Sequence, residues 1–184
     1  MCWSFHQGLL PVYGLTALAV AILVHAGAGG VGSFAVQLAK YIGAHVISTA
    51  SAANADLVHS LGADQVIDYR TEDFSVALRD VDVVLDTIGG ETLSKSYQVI
   101  KSGRLLVSIV MPPDHEQAEA HGVIATFFGH RSHSARLDLI SGLCDAGKLR
   151  VIVDRPFHLS DIQEGLAHSA SGHARGKIIL RPAQ

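Results

Sequence analysis

"ILVHAGAGGVGSFAVQLAKYIGAHVISTAS", residues 22–51, decides the fold of this chain. It continues an apolar run from Ala19 to Ala26, rich in Val and Ile, which is what a parallel strand covered on both faces requires. Glycines follow at once. Val31, Phe34, Ala35, Leu38, Ala39 and Ile42 then recur at helical spacing, and Gly43 supplies a C-terminal stop. Between strand and helix, Gly27-Ala28-Gly29-Gly30-Val31-Gly32 satisfies G-x-G-x-x-G. In that motif Gly27 makes a tight turn, Gly29 lets backbone N–H groups approach a pyrophosphate, and Gly32 lets the helix pack closely on the strand. Dinucleotide binding is the expectation.

The end of the next strand refines it. An NAD-binding unit usually carries Asp or Glu about 20 residues past the glycines, where the carboxylate accepts from the ribose hydroxyls. Here that place reads Ser48-Thr49-Ala50-Ser51, and the first carboxylate of the chain is Asp56. A carboxylate would repel a 2′-phosphate, whereas hydroxyl and amide donors can bind one. NADP is therefore expected over NAD, with Ser51 and Asn54 as donors and Tyr69 or Arg70 closing over the phosphate. No Lys or Arg stands directly beside Ser51 and Asn54 in the sequence.

Outward from this stretch the alternation repeats. "HVISTA" reads as strand, "NADLVHSLG" as helix ended by Gly62, "QVIDY" and "VDVVLDTIG" as strands, "ETLSKSYQVIKSG" as helix and "RLLVSIV" as strand. Strands alternating with helices at this pitch predict an α/β fold, a doubly wound parallel sheet of Rossmann type. Residues 112–122, "PPDHEQAEAHG", read as a surface loop, "VIATFFGH" as a sixth strand, and "SARLDLISGLCDAGK" as a helix with Leu137, Ile140 and Leu143 inward. Residues 150–184 differ in character: a strand, a helix opened by Ser160 with Gln163 at capping-box spacing, and a final strand "KIIL". The expected division is a Rossmann NADP-binding domain over 1–149 and a C-terminal α+β extension over 150–184.

Composition removes other classes. A chain of 184 residues with 48% hydrophobic and 17% charged residues is a globular domain, and a formal charge of −3 offers no basic face to nucleic acid. Cys2 and Cys144 lie too far apart for a disulfide framework or a metal cluster, which suits a reducing, cytoplasmic setting. "LTALAVAILVHAGA" has the look of a signal-peptide core, but no positive segment precedes it, and Pro11, Gly14 and the glycine cluster interrupt any membrane span. Among eleven histidines, His115-Glu116 with His121 misses the H-E-x-x-H spacing, and His130 with His133 lacks a third ligand; all four read as solvated loop. No metal is expected. His25 reads as a packed or hydrogen-bonded strand-end histidine. Tyr97 and Lys101 fit the Y-x-x-x-K of short-chain dehydrogenases, but Tyr97 follows the glycines too soon, and packing of Leu93, Tyr97 and Ile100 in a helix accounts for it.

The stretches "LPVYGLTAL", "VHAGAGGVGSFAVQLAKYIGAHVISTASAANADLVHSLGADQVIDYR", "VVLDTIGG", "SGRLLVSIV", "LDLISGLCDAGKL" and "FHLSDIQEGLAHSASGHARGKIILRP" resemble, in order, the medium-chain dehydrogenase/reductase superfamily, specifically its zinc-independent NADPH:quinone oxidoreductase-like branch. The resemblance implies a cofactor crevice lined by Thr16, the turn Ala28, Gly29, Gly30 and Val31, then Ser51, Asn54 and Tyr69, and the loop at Asp86, Thr87 and Ile88. It places Ser108, Ile109 and Val110 near the nicotinamide, with Phe127 and Phe128 beyond. It also implies NADPH reduction of a small-molecule quinone or activated alkene in which the cofactor performs the chemistry, leaving no side chain assigned as catalyst. No nucleic acid or membrane partner is implied. Two departures stand out: the family's GroES-like substrate domain has no counterpart in these residues, and the helix and turn between "GLTAL" and "ILVHAGAGG" are shorter by roughly ten residues. Residues 150–184 pack on that domain in the family, so an exposed apolar edge and a homodimer are expected. A non-catalytic NADP(H)-binding module, a truncated paralogue or an excerpt of a longer protein are the alternatives.

Overall fold

The computed structural model describes residues 20–129 and 133–182. Six parallel strands form one sheet: β1 (Ala21–Val24), β2 (His45–Ala50), β3 (Gln65–Asp68), β4 (Val81–Asp86), β5 (Ile100–Ser108) and β6 (Ile124–Phe127), in the order β3-β2-β1-β4-β5-β6. The order reverses direction at β1 and β4, which is the topological switch point of a Rossmann sheet. The expected α/β class is therefore observed.

Why the strands are apolar throughout follows from the two faces they serve. Successive side chains of a strand point to opposite faces, so Leu23 and Ile47 enter one buried cluster while their neighbours Val24 and Val46 enter the other. The first cluster packs with α3 (Phe74–Ala77), α4 (Gly90–Ser96) and α5 (His115–Ala120) through Phe74, Leu93 and Ala118. The second packs with α1 (Gly32–Tyr41) and α2 (Ala52–Ser60) through Val36, Ala39 and Val58.

Four expectations need correction. The helix read over 91–103 ends at Ser96, and Ile100–Gly103 belong to β5. Val99 and Ile100 are buried in the core and Val81 pairs with Ile100, with a register shift before Val83, so sheet pairing overrides helical continuation. The loop read over 112–122 contains α5. Asp114 caps it by accepting from the N–H groups of Glu116 and Gln117, and Ala118 buries its inner face. The helix α6 (Ser134–Asp145) exists, but no residue of it is buried and Leu137 is 59% exposed. Finally, Ser160 does not cap a helix: it lies in a 3₁₀ turn, Leu159–Asp161, and its hydroxyl donates to Asp161 Oδ1. The helix α7 (Ile162–Ala170) starts after it without a side-chain cap.

Strands β7 (Val153–His158) and β8 (Lys177–Arg181) pair in parallel as a separate two-stranded sheet crossed by α7. Leu159, Leu166 and Leu180 of this unit are exposed, in keeping with the expected apolar edge. Among the described residues no helix is long and apolar enough to cross a membrane.

Candidate functional site

The glycine turn is built by close approach. Ala26, not a glycine, takes the left-handed backbone at φ 51°. Its N–H donates to Thr49 Oγ1, and the Gly27 N–H donates to the Thr49 carbonyl, so the turn is tied to β2. A Cβ on Gly27 would meet Ser48 Oγ at 2.1 Å, and one on Gly32 would meet the Ala26 carbonyl oxygen at 2.1 Å. Gly32 thus has the packing role its place in the motif assigns. No side chain caps α1, and Ala28 and Gly29, just ahead of it, line the adjacent crevice.

That crevice, about 640 Å³, lies outside the carboxyl ends of β1 and β2. Of the residues named from sequence it brings together Ala28, Gly29, Ser51, Asn54, Tyr69, Arg70 and Ile88. No acidic residue closes β2. Ser51 is buried yet makes no capping bond to α2, and Asn54 Oδ1 is buried without a partner. Arg70 lies over the Tyr69 ring at 5.8 Å. A tight glycine turn beside a helix without a side-chain cap, and an orphan polar atom in the crevice, fit a bound pyrophosphate and ribose.

The other named residues stand apart from it. Asp86 is wholly buried and accepts from the Ile88 and Gly89 N–H groups and from the Ser108 hydroxyl at 2.8 Å. Thr87 Oγ1 donates to the His25 carbonyl. Asp86, Thr87 and Ser108 therefore brace the loops after β4 and β5 from behind. Ile109 continues that loop, its N–H donating to the Asp86 carbonyl. Val110, Phe127 and Phe128 are exposed at the ends of β5 and β6. Gly30 and Val31 belong to the turn but are not among the residues that line the crevice; a Cβ on Gly30 would meet the Gly176 carbonyl oxygen at 3.0 Å. Thr16 lies outside the described residues, as do the first matched stretch, Cys2 and His130.

Titratable groups in the crevice have structural occupations. His25 is fully buried, with its ring nitrogens 3.2 Å from Thr49 Oγ1 and 3.0 Å from Ser96 Oγ, and Phe74 edge-on. Burial pushes its pKa down to about 4 against the opposing pull of Asp86, so it is a neutral packing group at pH 7. Lys95 bonds both Asp73 and Glu91, which raises its own pKa to about 12 and lowers that of Asp73 to about 2. Tyr97 is buried, its hydroxyl spent on the backbone of Asp114, and burial raises its pKa; Lys101 is paired with Asp82. Tyr97 and Lys101 form no catalytic pair. His115 and His121 are solvated, but on α5 and its end rather than on a loop; His133 is solvated ahead of α6. Among the described residues no three His, Cys, Asp or Glu come together to hold a metal ion.

What the sequence alone missed is the return of the chain's end to this site. Gly172, His173 and Ala174, more than a hundred residues beyond the glycine turn, line the crevice too. No local pattern around them announces it.

Comparison with known proteins agrees with this geometry. Residues 61–180 match the family model described as zinc-binding dehydrogenase. The chain is 32% identical over 186 residues to the mitochondrial NAD(P)H oxidoreductase RTN4IP1 of Danio rerio, covering 86% of this chain and 48% of that protein. It is 35% identical over 169 residues to the chloroplastic NADPH-dependent alkenal/one oxidoreductase of Arabidopsis thaliana, covering 88% of this chain and 40% of the relative. The quinone oxidoreductase structure from Coxiella burnetii superposes with a TM-score of 0.83 at 34% identity, over 88% of this chain and 52% of that one. The chain thus spans about half the length of the relatives it matches.

Proposed function

Since the chain belongs to the zinc-binding dehydrogenase family of the medium-chain dehydrogenase/reductase superfamily, we propose that it is the cofactor-binding part of an NADPH-dependent oxidoreductase acting on a quinone or activated alkene. One observation carries the reading: the glycine turn and an acid-free end of β2 share one crevice, in which the Ser51 hydroxyl makes no capping bond and Asn54 Oδ1 has no partner among the described residues. The names of its relatives, a quinone oxidoreductase and an alkenal/one oxidoreductase, support the substrate class.

The residues divide the work. The turn Ala28, Gly29, Gly30 and Val31 would hold the pyrophosphate through backbone N–H groups other than that of Gly29, which donates to the Ala26 carbonyl, and Ser51, Asn54 and Tyr69 would hold the adenosine ribose and its phosphate. Asp86, Thr87, Ile88, Ser108, Ile109 and Val110 would position the nicotinamide end, with Thr16 opposite and Phe127 and Phe128 at the substrate side. When bound, NADPH supplies the hydride. The chain's contribution is orientation and exclusion of water rather than a side-chain acid or base. Zinc-independent chemistry is part of this reading, as the resemblance to that branch implies.

The second reading is a module that binds NADP(H) without turnover; Ile88, Val110, Phe127 and Phe128 are exposed in this chain. The exposed apolar residues of β8 and α7 support a homodimer, and two remote cysteines support a reducing compartment such as the cytoplasm. Calorimetric titration with NADPH and NADH, followed by turnover with 1,4-benzoquinone or 9,10-phenanthrenequinone, tests the proposal. Binding of NADPH over NADH with turnover is the expected result. Binding without turnover selects the module, and binding of neither removes both. Ser51→Asp is expected to weaken NADPH; an unchanged affinity would sink the role given to Ser51.

A further inference from the structure

The end of β2 has no cation beside it in sequence, but the fold delivers one from the far end of the chain. The segment after α7 runs along the crevice, with Gly172, His173 and Ala174 lining it, before the chain enters β8. Two backbone bonds fix its course: the Gly176 N–H donates to the Ala28 carbonyl at 2.8 Å, and the Lys177 N–H donates to the Ile152 carbonyl at 2.8 Å. Gly176 has φ +73°, and a Cβ there would stand 2.2 Å from the Ile152 carbonyl oxygen, so the segment tolerates no side chain at its tightest point.

Arg175 is held by these anchors. Its Nη2 donates at 3.2 Å to the carbonyl of Ala53, in the first turn of α2 between Ser51 and Asn54. The guanidinium spends this bond on a carbonyl, not on a carboxylate, and so keeps its charge and its remaining donors. Around the same turn stand Ser51, 7% exposed and making no capping bond, and Asn54, whose buried Oδ1 has no partner. An uncapped helix start, a hydroxyl and a guanidinium fork are what a dianionic phosphate ester takes, while the orphan Asn54 Oδ1, an acceptor, suits a hydroxyl of the ribose that carries it.

We propose that Arg175, borne on the segment that ties the glycine turn to the C-terminal unit, is the specificity-determining cation that selects NADPH by its ribose 2′-phosphate. The assignment rests on the reading of the crevice as an NADP(H) site, and it adds the charge that the sequence near Ser51 lacks. It also gives residues 171–177 a function in cofactor choice.

Calorimetric titration of the full chain with NADPH and with NADH, for the parent protein, Arg175→Gln, Arg175→Lys and Arg70→Gln, tests it. Arg175→Gln is expected to bind NADPH roughly tenfold or more weakly with NADH affinity unchanged, and Arg175→Lys to recover part of the loss. The NADPH affinity of the parent should fall more steeply with added salt than that of Arg175→Gln. Equal weakening of both dinucleotides, or selective loss in Arg70→Gln with none in Arg175→Gln, would overturn the assignment while leaving the NADP(H) reading in place. Failure of the parent to prefer NADPH would remove that reading and the assignment with it. Arg175 is exposed and, among the described residues, its side chain bonds only to a carbonyl, so a thermal midpoint equal to the parent's is expected for each of its variants.

Discussion

At Gly32 a Cβ would stand 2.1 Å from the Ala26 carbonyl oxygen, and backbone cannot move aside as a flexible side chain can. Gly32→Ala is therefore expected to destabilise the chain by roughly 1–3 kcal/mol despite the better helix propensity of alanine, read as a lower urea midpoint. His25 makes a second residue-scale prediction. Burial holds its pKa at about 4, against 6.5 for an unburied histidine. Below pH 6.5 the unfolded chain takes up a proton that the folded chain refuses, so this contribution is complete above pH 6.5 and is lost as the pH falls towards 4. The difference corresponds to about 3 kcal/mol. The stability gap between the parent and His25→Gln should shrink by that order between pH 7 and 4 in urea melts; a constant gap would mean that the fold leaves the pKa of His25 unshifted. Single residues were legible in their placement where chemistry is local: Gly32 at the close approach its motif position assigns, and Ser51 on the wall of the crevice. Arg175 was not legible, because 122 residues separate it from the Ala53 carbonyl that it meets.

Elements were legible where their apolar pattern belongs to the core. The strand and helix of 22–51 satisfy both periodicities because each face meets a buried cluster. Where sheet pairing or capping decides, pattern alone failed: Ile100–Gly103 sit in β5 through pairing with β4, and α5 hides in a polar stretch because Asp114, not an apolar stripe, starts it. The same limit governs α6, whose Leu137 keeps helical spacing but faces outward. Leu137→Glu is thus expected to change stability by less than about 0.5 kcal/mol, whereas Leu23→Ala in the core should cost roughly 2–5 kcal/mol, both by urea denaturation. If Leu137→Glu matched Leu23→Ala, α6 would be covered in solution by something else. Between α3 and α4 the bond from Lys95 to Asp73 holds that carboxyl down near a pKa of about 2. Lys95→Met should let it rise towards the ordinary carboxylate range in an NMR titration, with acid loosening the α3 cap at a correspondingly higher pH.

For the whole molecule, the expected division at 149/150 meets a seam. Gln37 of α1 is buried; its Nε2 donates to the Ser33 and Arg150 carbonyls, and its Oε1 accepts from the Arg150 N–H at 2.7 Å. Arg150 adds a bond to the Ser60 hydroxyl, and Gly176 returns to the glycine turn. The small sheet of β7 and β8 is separate from the large one but sewn to it by polar bonds around the helices that carry the crevice. We propose that residues 150–184 form a distinct unit whose attachment sets the position of Arg175. Gln37→Leu keeps the apolar fill and removes both bonds to Arg150, each worth about 1 kcal/mol net. Hydrogen exchange should accelerate in β7, β8 and residues 171–176 while β1, β2 and β4 keep their protection. NADPH affinity should fall in the same variant, with that of NADH less affected. Uniform loss of protection along the chain would instead make all the described residues one cooperative unit, and the extension a part of the Rossmann domain rather than an attachment to it.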